Sequence, residues 1–267
     1  MNAATKVAVD GAIVAKRNLI KIKRVPDILV FTTVSPIMFI LLFAYVFGSA
    51  IPTPGINYKE FLIPGIFAQT VVFGATFTGA GMADDIQKGI IDRFRSLPMS
   101  RSAVLVGRTT SDVGYNLVTL VVMTVTGLII GWRIHTDALH AIGGYLLLLA
   151  FAYAISWVMA LIGLIVPSPE VVNNAAFIVI FPMTFIANTF VPTTNFPTVL
   201  KVIANWNPVS TVTQAAREAF GNTSPALPPS DDWSMQHPAV YTLLWCIVLV
   251  AVFAPLSVRR YKKAAAR

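Results

Sequence analysis

The stretch Gln87–Arg101, QKGIIDRFRSLPMSR, is the most charge-dense run in the middle of a chain dominated by Leu, Ile, Val, Phe and Ala. It separates two long apolar runs, Phe61–Met82 and Val113–Trp132. Read as a helix over Asp85–Leu97, it aligns Ile86, Ile90, Phe94 and Leu97 on one stripe. Lys88, Asp92 and Arg95 share the opposite side, with Arg93 on a flank. Pro98 ends the helix, because the residue before a proline avoids the helical region. Two readings are open for such an element. It can rest on a membrane surface, where burying Ile90, Phe94 and Leu97 would contribute about 1.5–3 kcal/mol each. Asp92 between arginines suits an anionic lipid surface less well than an all-basic face. Mixed signs suit a protein partner, where opposite charges fix register.

Outward from this stretch the chain is apolar. A soluble domain is roughly 45–50% apolar and about 25% charged; this chain is 56% apolar and 12% charged, with mean hydropathy +0.72. Six runs approach or exceed the roughly 18–20 apolar residues that cross a bilayer: Ile28–Phe47, Phe61–Met82, Val113–Trp132, Leu139–Val166, Val172–Val191 and Ala239–Ser257. The expected fold is an all-α membrane protein of six transmembrane helices, one domain over 1–267 with its core at 28–257. Pro36, Pro64, Pro182 and Pro255 are tolerated inside spans because neighbouring helices satisfy the freed carbonyls. The first run lacks a small-residue cleavage site and is expected to stay as a span. The lone Cys246 excludes an intrachain disulfide.

The basic residues set the orientation. The N-terminal segment carries Lys6, Lys16, Arg17, Lys21, Lys23 and Arg24. The loop after the second run carries Lys88, Arg93, Arg95, Arg101 and Arg108, and the tail at 258–267 carries Arg259, Arg260, Lys262, Lys263 and Arg267. The alternate loops hold only Lys59, Arg133, Lys201 and Arg217. Lys and Arg accumulate on the cytoplasmic side, so both termini and the loop at 84–101 are expected there. The net charge of +8 is then a matter of topology rather than of nucleic-acid binding. The segment 1–27 spaces Asp10, Arg17, Lys21 and Arg24 along one helical side and is expected to lie in the inner membrane interface among lipids. The other reading is a basic segment without fixed structure.

The external segment 192–238 is too long for a structureless connection. Two short helical patterns stand in it, Thr198–Asn205 and Ser210–Phe220, the second stopped by Gly221. Both are too short to span and suit re-entrant or interfacial helices, with Asn207 and Pro208 in the turn between them.

No glycine is followed by lysine, so the sequence holds no GxxxxGK[ST] and cannot cradle ATP phosphates in a P-loop. His135, His140 and His237 have no metal-ligand spacing, and no GxSxG elbow occurs. All Asp and Glu residues are placed in loops or at span ends, Glu60, Asp112 and Glu170 included. Ion-coupled transporters carry such groups within the membrane, so a self-sufficient secondary transporter is disfavoured. A membrane scaffold or immunity protein without cargo is a further alternative. A transport protein would need energy from elsewhere.

The run GIIDRFRSLPMSRSAVLVGR resembles the cytoplasmic loop of ABC-2 type permeases, the membrane subunits of bacterial ATP-binding-cassette exporters. NYKEFLIPGI and NWNPVSTVTQAAREAFG look like the daunorubicin-resistance group of that family, and the likeness extends over the whole chain. The resemblance implies a bacterial cytoplasmic-membrane exporter of a hydrophobic or amphipathic drug, lipid or polyketide-like molecule. It implies two copies of a separate cytoplasmic ABC ATPase, with ATP and Mg on that partner and no cofactor on this chain. It also implies a second permease copy, identical or not. The charged helix becomes a coupling helix, with Gly89, Asp92, Arg93, Phe94, Arg95, Leu97, Pro98, Ser100 and Arg101 as the positions that match. Phe39, Phe43 and Phe47 repeat on the first run, Phe73 and Phe77 on the second, and Phe181 and Phe185 on the fifth. In the family these helices line the dimer centre, so Phe39, Phe43, Phe73, Phe77, Phe181 and Phe185 are candidate substrate contacts. Packing and lipid contact are the commoner roles of such stripes. Gly127 and Gly131 form a GxxxG read as helix packing. Trp206, Trp233 and Trp245 are read as interface anchors.

Overall fold

The computed structural model describes residues 10–13, 15, 26–90 and 103–264. Among them the architecture is helical, apart from one bridge between Ser224 and Leu227. Helix α1, Pro26–Leu41, contains Pro36 and continues as a π-helical turn over Leu42–Phe47. Helix α2, Tyr58–Gly74, starts where the Asn57 side chain accepts a hydrogen bond from the Lys59 amide, meeting one of the unpaired donors of a helix N-terminus. Helix α3, Thr76–Gln87, follows after Ala75 alone. Helices α4, Ala103–Ile129, α5, Ala138–Gly163, and α6, Pro169–Ile186, come next, α6 with Ser168 as its cap and Pro169 in its first turn. Two short helices, α7 (Thr198–Asn205) and α8 (Pro208–Phe220), precede the one-turn α9 (Trp233–Gln236) and the long α10 (Pro238–Ala264).

Five of these stretches are long and apolar enough to cross a membrane: Tyr58–Gln87, Ala103–Ile129, Ala138–Gly163, Pro169–Ile186 and Pro238–Lys262. The first expected span is carried by α1 and its π turn, of which the apolar helical part Val34–Phe47 is shorter. The third starts at Ala103 rather than Val113. Val104 and Leu105 explain the difference: they are buried with Met82, Trp157, Leu164 and Tyr261 in a small cluster that extends the bundle. Of the GxxxG read as helix packing, Gly127 alone meets a neighbouring helix among the described residues. Gly127 packs against Trp132 and Ile63, whereas Gly131 lies past the end of α4, at φ 104°.

Helices α2 and α5 form the centre. Most of the α2–α3 run is enclosed, while little of the α10 run is: Thr242, Cys246, Leu249 and Ser257 are buried on one face, and Val240, Leu243, Leu244, Ile247 and Val252 are exposed. Close approach is possible where side chains vanish. A Cβ on Gly163 would strike the Gly79 backbone, so α3 and α5 cross at that pair, as small residues allow in membranes. The N-terminal expectation falls mostly outside the described residues; Gly11 and Ala15 are buried, Gly11 beside Val106 and Gly107 of α4.

The two short helices fold as the sequence predicts. Asn207 accepts from the Val209 amide at 2.9 Å and donates to the Met183 carbonyl at 2.7 Å, which fixes the turn into α8. Gly221, at φ 72°, closes α8, and the Asn222 and Gly221 amides return to the Arg217 and Glu218 carbonyls, the Schellman pattern that favours glycine. Trp132 joins this end to α4: its Nε1 donates to Asn222 Oδ1 at 2.8 Å.

Candidate functional site

Four of the phenylalanines singled out above come together. Phe39 of α1, Phe73 of α2, Phe77 of α3 and Phe181 of α6 line one cavity of about 330 Å³. Phe177, four residues before Phe181, completes the ring stack at 4.9 Å and was missed by the sequence reading. The spacing of the Phe181–Phe185 pair extended one step back would have found it. Phe43 and Phe185 do not line the cavity. Both stack on Phe190, at 4.3 and 4.9 Å, and form an aromatic string beside it.

The cavity sits where helices depart from regular geometry. The Ala75 amide bonds to Val72 O and the Thr78 amide to Ala75 O, tightening the turn between α2 and α3. Thr76 Oγ1 donates to Phe73 O at 2.7 Å. Across from it, α1 passes into its π turn after Phe39. Tightened turns and π turns within helices recur at functional hinges. Gly74 lets Asn116 pack on the α2 backbone. Asn116 is buried and lines the cavity; its Nδ2 donates to Asp112 O at 2.9 Å, while its Oδ1 has no partner among the described residues. Gln69 and Tyr115, with Ser35, Thr70, Thr76 and Thr119, add polar atoms beside the phenylalanine rings.

A charged cluster lies next to this turn. Arg108 Nη2 donates to Phe77 O at 2.9 Å, and Nη1 stands 3.9 Å from Asp85 Oδ2. Asp112, buried on the same helix, accepts a hydrogen bond from Thr78. The expectation that every carboxylate lies in a loop or at a span end is thereby corrected. The helix begins ten or so residues before the hydropathy rise, which turns the apparent loop residues Arg108 and Asp112 into helix residues packed on α3.

At its far end α3 meets the coupling stretch. Lys88 pairs with Asp84 at 2.8 Å, and Gln87 donates to Pro167 O. Gly89 adopts φ 64°, and no atom of the described residues stands within 4 Å of where its Cβ would lie. A helix unbroken over Asp85–Leu97 is therefore corrected: Gln87 closes α3, and the left-handed Gly89 sets it off from the residues beyond. Asp92, Arg93, Phe94, Arg95, Leu97, Pro98, Ser100 and Arg101 lie outside the described residues.

Comparison with known proteins meets this geometry. Residues 12–220 match the ABC-2 type transporter family. The chain belongs to that family. A daunorubicin resistance ABC transporter permease protein, DrrB1 of Streptomyces coeruleorubidus, is 34% identical over 248 residues, 92% of this chain and 83% of the relative. A doxorubicin resistance ABC transporter permease protein, DrrB of Mycobacterium tuberculosis, is 31% identical over 150 residues, 53% of this chain and 52% of the relative. A putative transport permease, ycf38 of Cyanophora paradoxa, is 22% identical over 216 residues, 79% and 74% of the two chains. This ABC-2 protein is a multi-pass membrane permease subunit, and an ABC ATPase is its partner by family. Family membership, rather than an absence of intramembrane charge, decides against a self-sufficient secondary transporter.

A second buried cation escaped the sequence reading. Arg217 of α8 is 2% exposed. Its Nε donates to Phe61 O at 2.9 Å and its Nη2 to Asn188 O at 2.7 Å, while its guanidinium lies 3.6 Å from the Phe61 ring centre. In TQAAREAF it reads as the polar side of a surface helix. Only the packing of α8 against α2 and the 187–190 turn makes it a clamp.

Proposed function

We propose that this permease exports an amphipathic aromatic molecule across the bacterial cytoplasmic membrane, driven by ATP and Mg on two copies of a separate ATPase. The observation that carries this reading is the convergence of Phe39, Phe73, Phe77 and Phe181 on one cavity at the break in the central helix run. Stacking on such faces holds a planar aromatic body, and Gln69, Tyr115 and Asn116 offer few, placed polar contacts, as small-molecule sites do. The drug-resistance names of the relatives support the same cargo class.

In this reading Pro26–Phe47 is the sixth span, both termini and Gly89–Arg101 are cytoplasmic, and α7 and α8 are re-entrant around Asn207 and Pro208. A second permease copy, identical or not, covers the open faces of α1 and α6, where Met38, Tyr45, Ile178 and Val179 are exposed beside the cavity. The ATPase engages Asp92, Arg93 and Arg95 by charge and Phe94 and Leu97 by apolar contact. Its closure on ATP moves α3 through Gly89, and Arg108 ties that motion to the carbonyl of Phe77. The test is co-purification and transport with Arg93→Glu/Arg95→Glu. Release of the ATPase or loss of ATP-driven transport is expected; intact co-purification with intact transport would refute the coupling assignment.

A further inference from the structure

The end of the bundle away from Gly89 holds a second cavity of about 330 Å³ that the transport reading leaves unused. It lies among the 192–194 turn, α7, α8 and the 222–235 segment. Its lining is mixed: Ile56, Phe61, Leu227 and Met235 give it apolar walls, and Asn188, Thr193, Gln214, Asn222, Ser224 and Ser230 contribute polar groups. Two cations, Lys201 and Arg217, and one carboxylate, Asp231, complete it. Arg217 is the deep member. Its Nε and Nη2 are held by carbonyls, but Nη1 has no hydrogen-bond partner among the described residues. Among the described residues no carboxylate forms an ion pair with it, and its neighbour Glu218 bonds Gln214 instead. Asn188 Oδ1, also buried in this wall, has no donor among the described residues.

A buried guanidinium with no anion is costly, and carbonyls offset that cost only in part. The planar fork matches the oxygens of a phosphate. We propose that this cavity binds a phosphate ester, with its oxyanion on Arg217 and Lys201 and a hydroxyl of the ester donating to Asn188 Oδ1. The volume exceeds the need of a phosphate ion alone and admits an organic head group. The phosphate can come from a lipid of the adjoining leaflet or from solution. Asp231 sits on the exposed side of the cavity and opposes any purely anionic ligand. The site stands apart from the aromatic cavity and does not depend on what that cavity carries.

The test uses the full chain in nanodiscs of phosphatidylcholine, titrated in one arm with phosphatidylglycerol and in the other with inorganic phosphate. Saturable binding is expected in at least one arm; the lipid arm alone assigns a head group, and the phosphate arm a soluble anion. Arg217→Gln should abolish it, and because that variant removes a structural clamp, two rim variants accompany it. Lys201→Gln should weaken binding by up to about fivefold, the range of a partly exposed ion pair. Asp231→Asn should tighten it, since a repelling charge is removed, an effect that a purely structural role would not produce. Absence of saturable binding in both arms, or affinities unmoved by Lys201→Gln and Asp231→Asn, would overturn the site.

Discussion

Arg217 shows how a single side chain can carry an architecture. It joins α8 to the start of α2 through Phe61 O and to the 187–190 turn through Asn188 O. Arg217→Met leaves those acceptors without their donor, and each buried unpaired group costs about 1–3 kcal/mol. The expected result is a clearly lowered melting temperature in detergent, with Arg217→Lys in between; an unchanged melting temperature would show the clamp to be dispensable. Asn116 belongs to the cavity rather than to stability. Asn116→Leu removes a buried acceptor of the cavity lining that has no protein partner among the described residues. Transport of a cargo bearing a hydroxyl or amine should fall by about tenfold, the value of one or so hydrogen bonds, while that of an analogue without the donor stays level. The phenylalanine spacing was legible in the sequence because repeats of four put side chains on one helix face. Asn116 and Arg217 were not, since a polar residue in an apolar run carries no sign of what it will face.

At the scale of elements, Gly89 follows the end of α3 at the start of the stretch proposed to couple to the ATPase. Its left-handed conformation is strained for any residue with a Cβ, by about 1–2 kcal/mol, yet no neighbour among the described residues stands within reach of the added atom. Gly89→Val should therefore leave the melting temperature within a few degrees and reduce ATP-driven transport. A large stability loss would mean that the turn is a packing element instead. The crossing of α3 and α5 gives the opposite case. Gly163→Leu forces side chain against the Gly79 backbone, and overpacking of this kind costs about 1–3 kcal/mol; thermal unfolding should detect it. Helices α7 and α8 were readable from their caps, because Asn207, Pro208 and Gly221 act locally. The start of α4 was not. The polar run Arg108–Asp112, RTTSD, cuts Ala103–Gly107 off from the apolar run that starts at Val113, and only burial of Val104 and Leu105 against Trp157 and Tyr261 reveals the extra turns.

For the whole molecule, composition alone made the membrane class legible, and the count of basic residues gave a side to each loop. Orientation can be checked with single cysteines after Cys246→Ala. Lys201→Cys should react with an impermeant maleimide on intact cells, and Arg260→Cys only after permeabilisation; the reverse pattern would invert the topology. The central claim is that cargo is met at the aromatic cavity and that the work arrives through the stretch beyond Gly89. The measurement that tests it most directly is ATP-driven uptake of a fluorescent planar amphipath into inside-out proteoliposomes containing the permease and its ATPase. Phe73→Ala/Phe181→Ala should raise the half-saturating cargo concentration at least about tenfold, as expected for two lost aromatic contacts, with basal ATP hydrolysis retained. Arg93→Glu/Arg95→Glu should abolish uptake at every cargo concentration. Uptake indistinguishable from wild type in both variants would contradict the account.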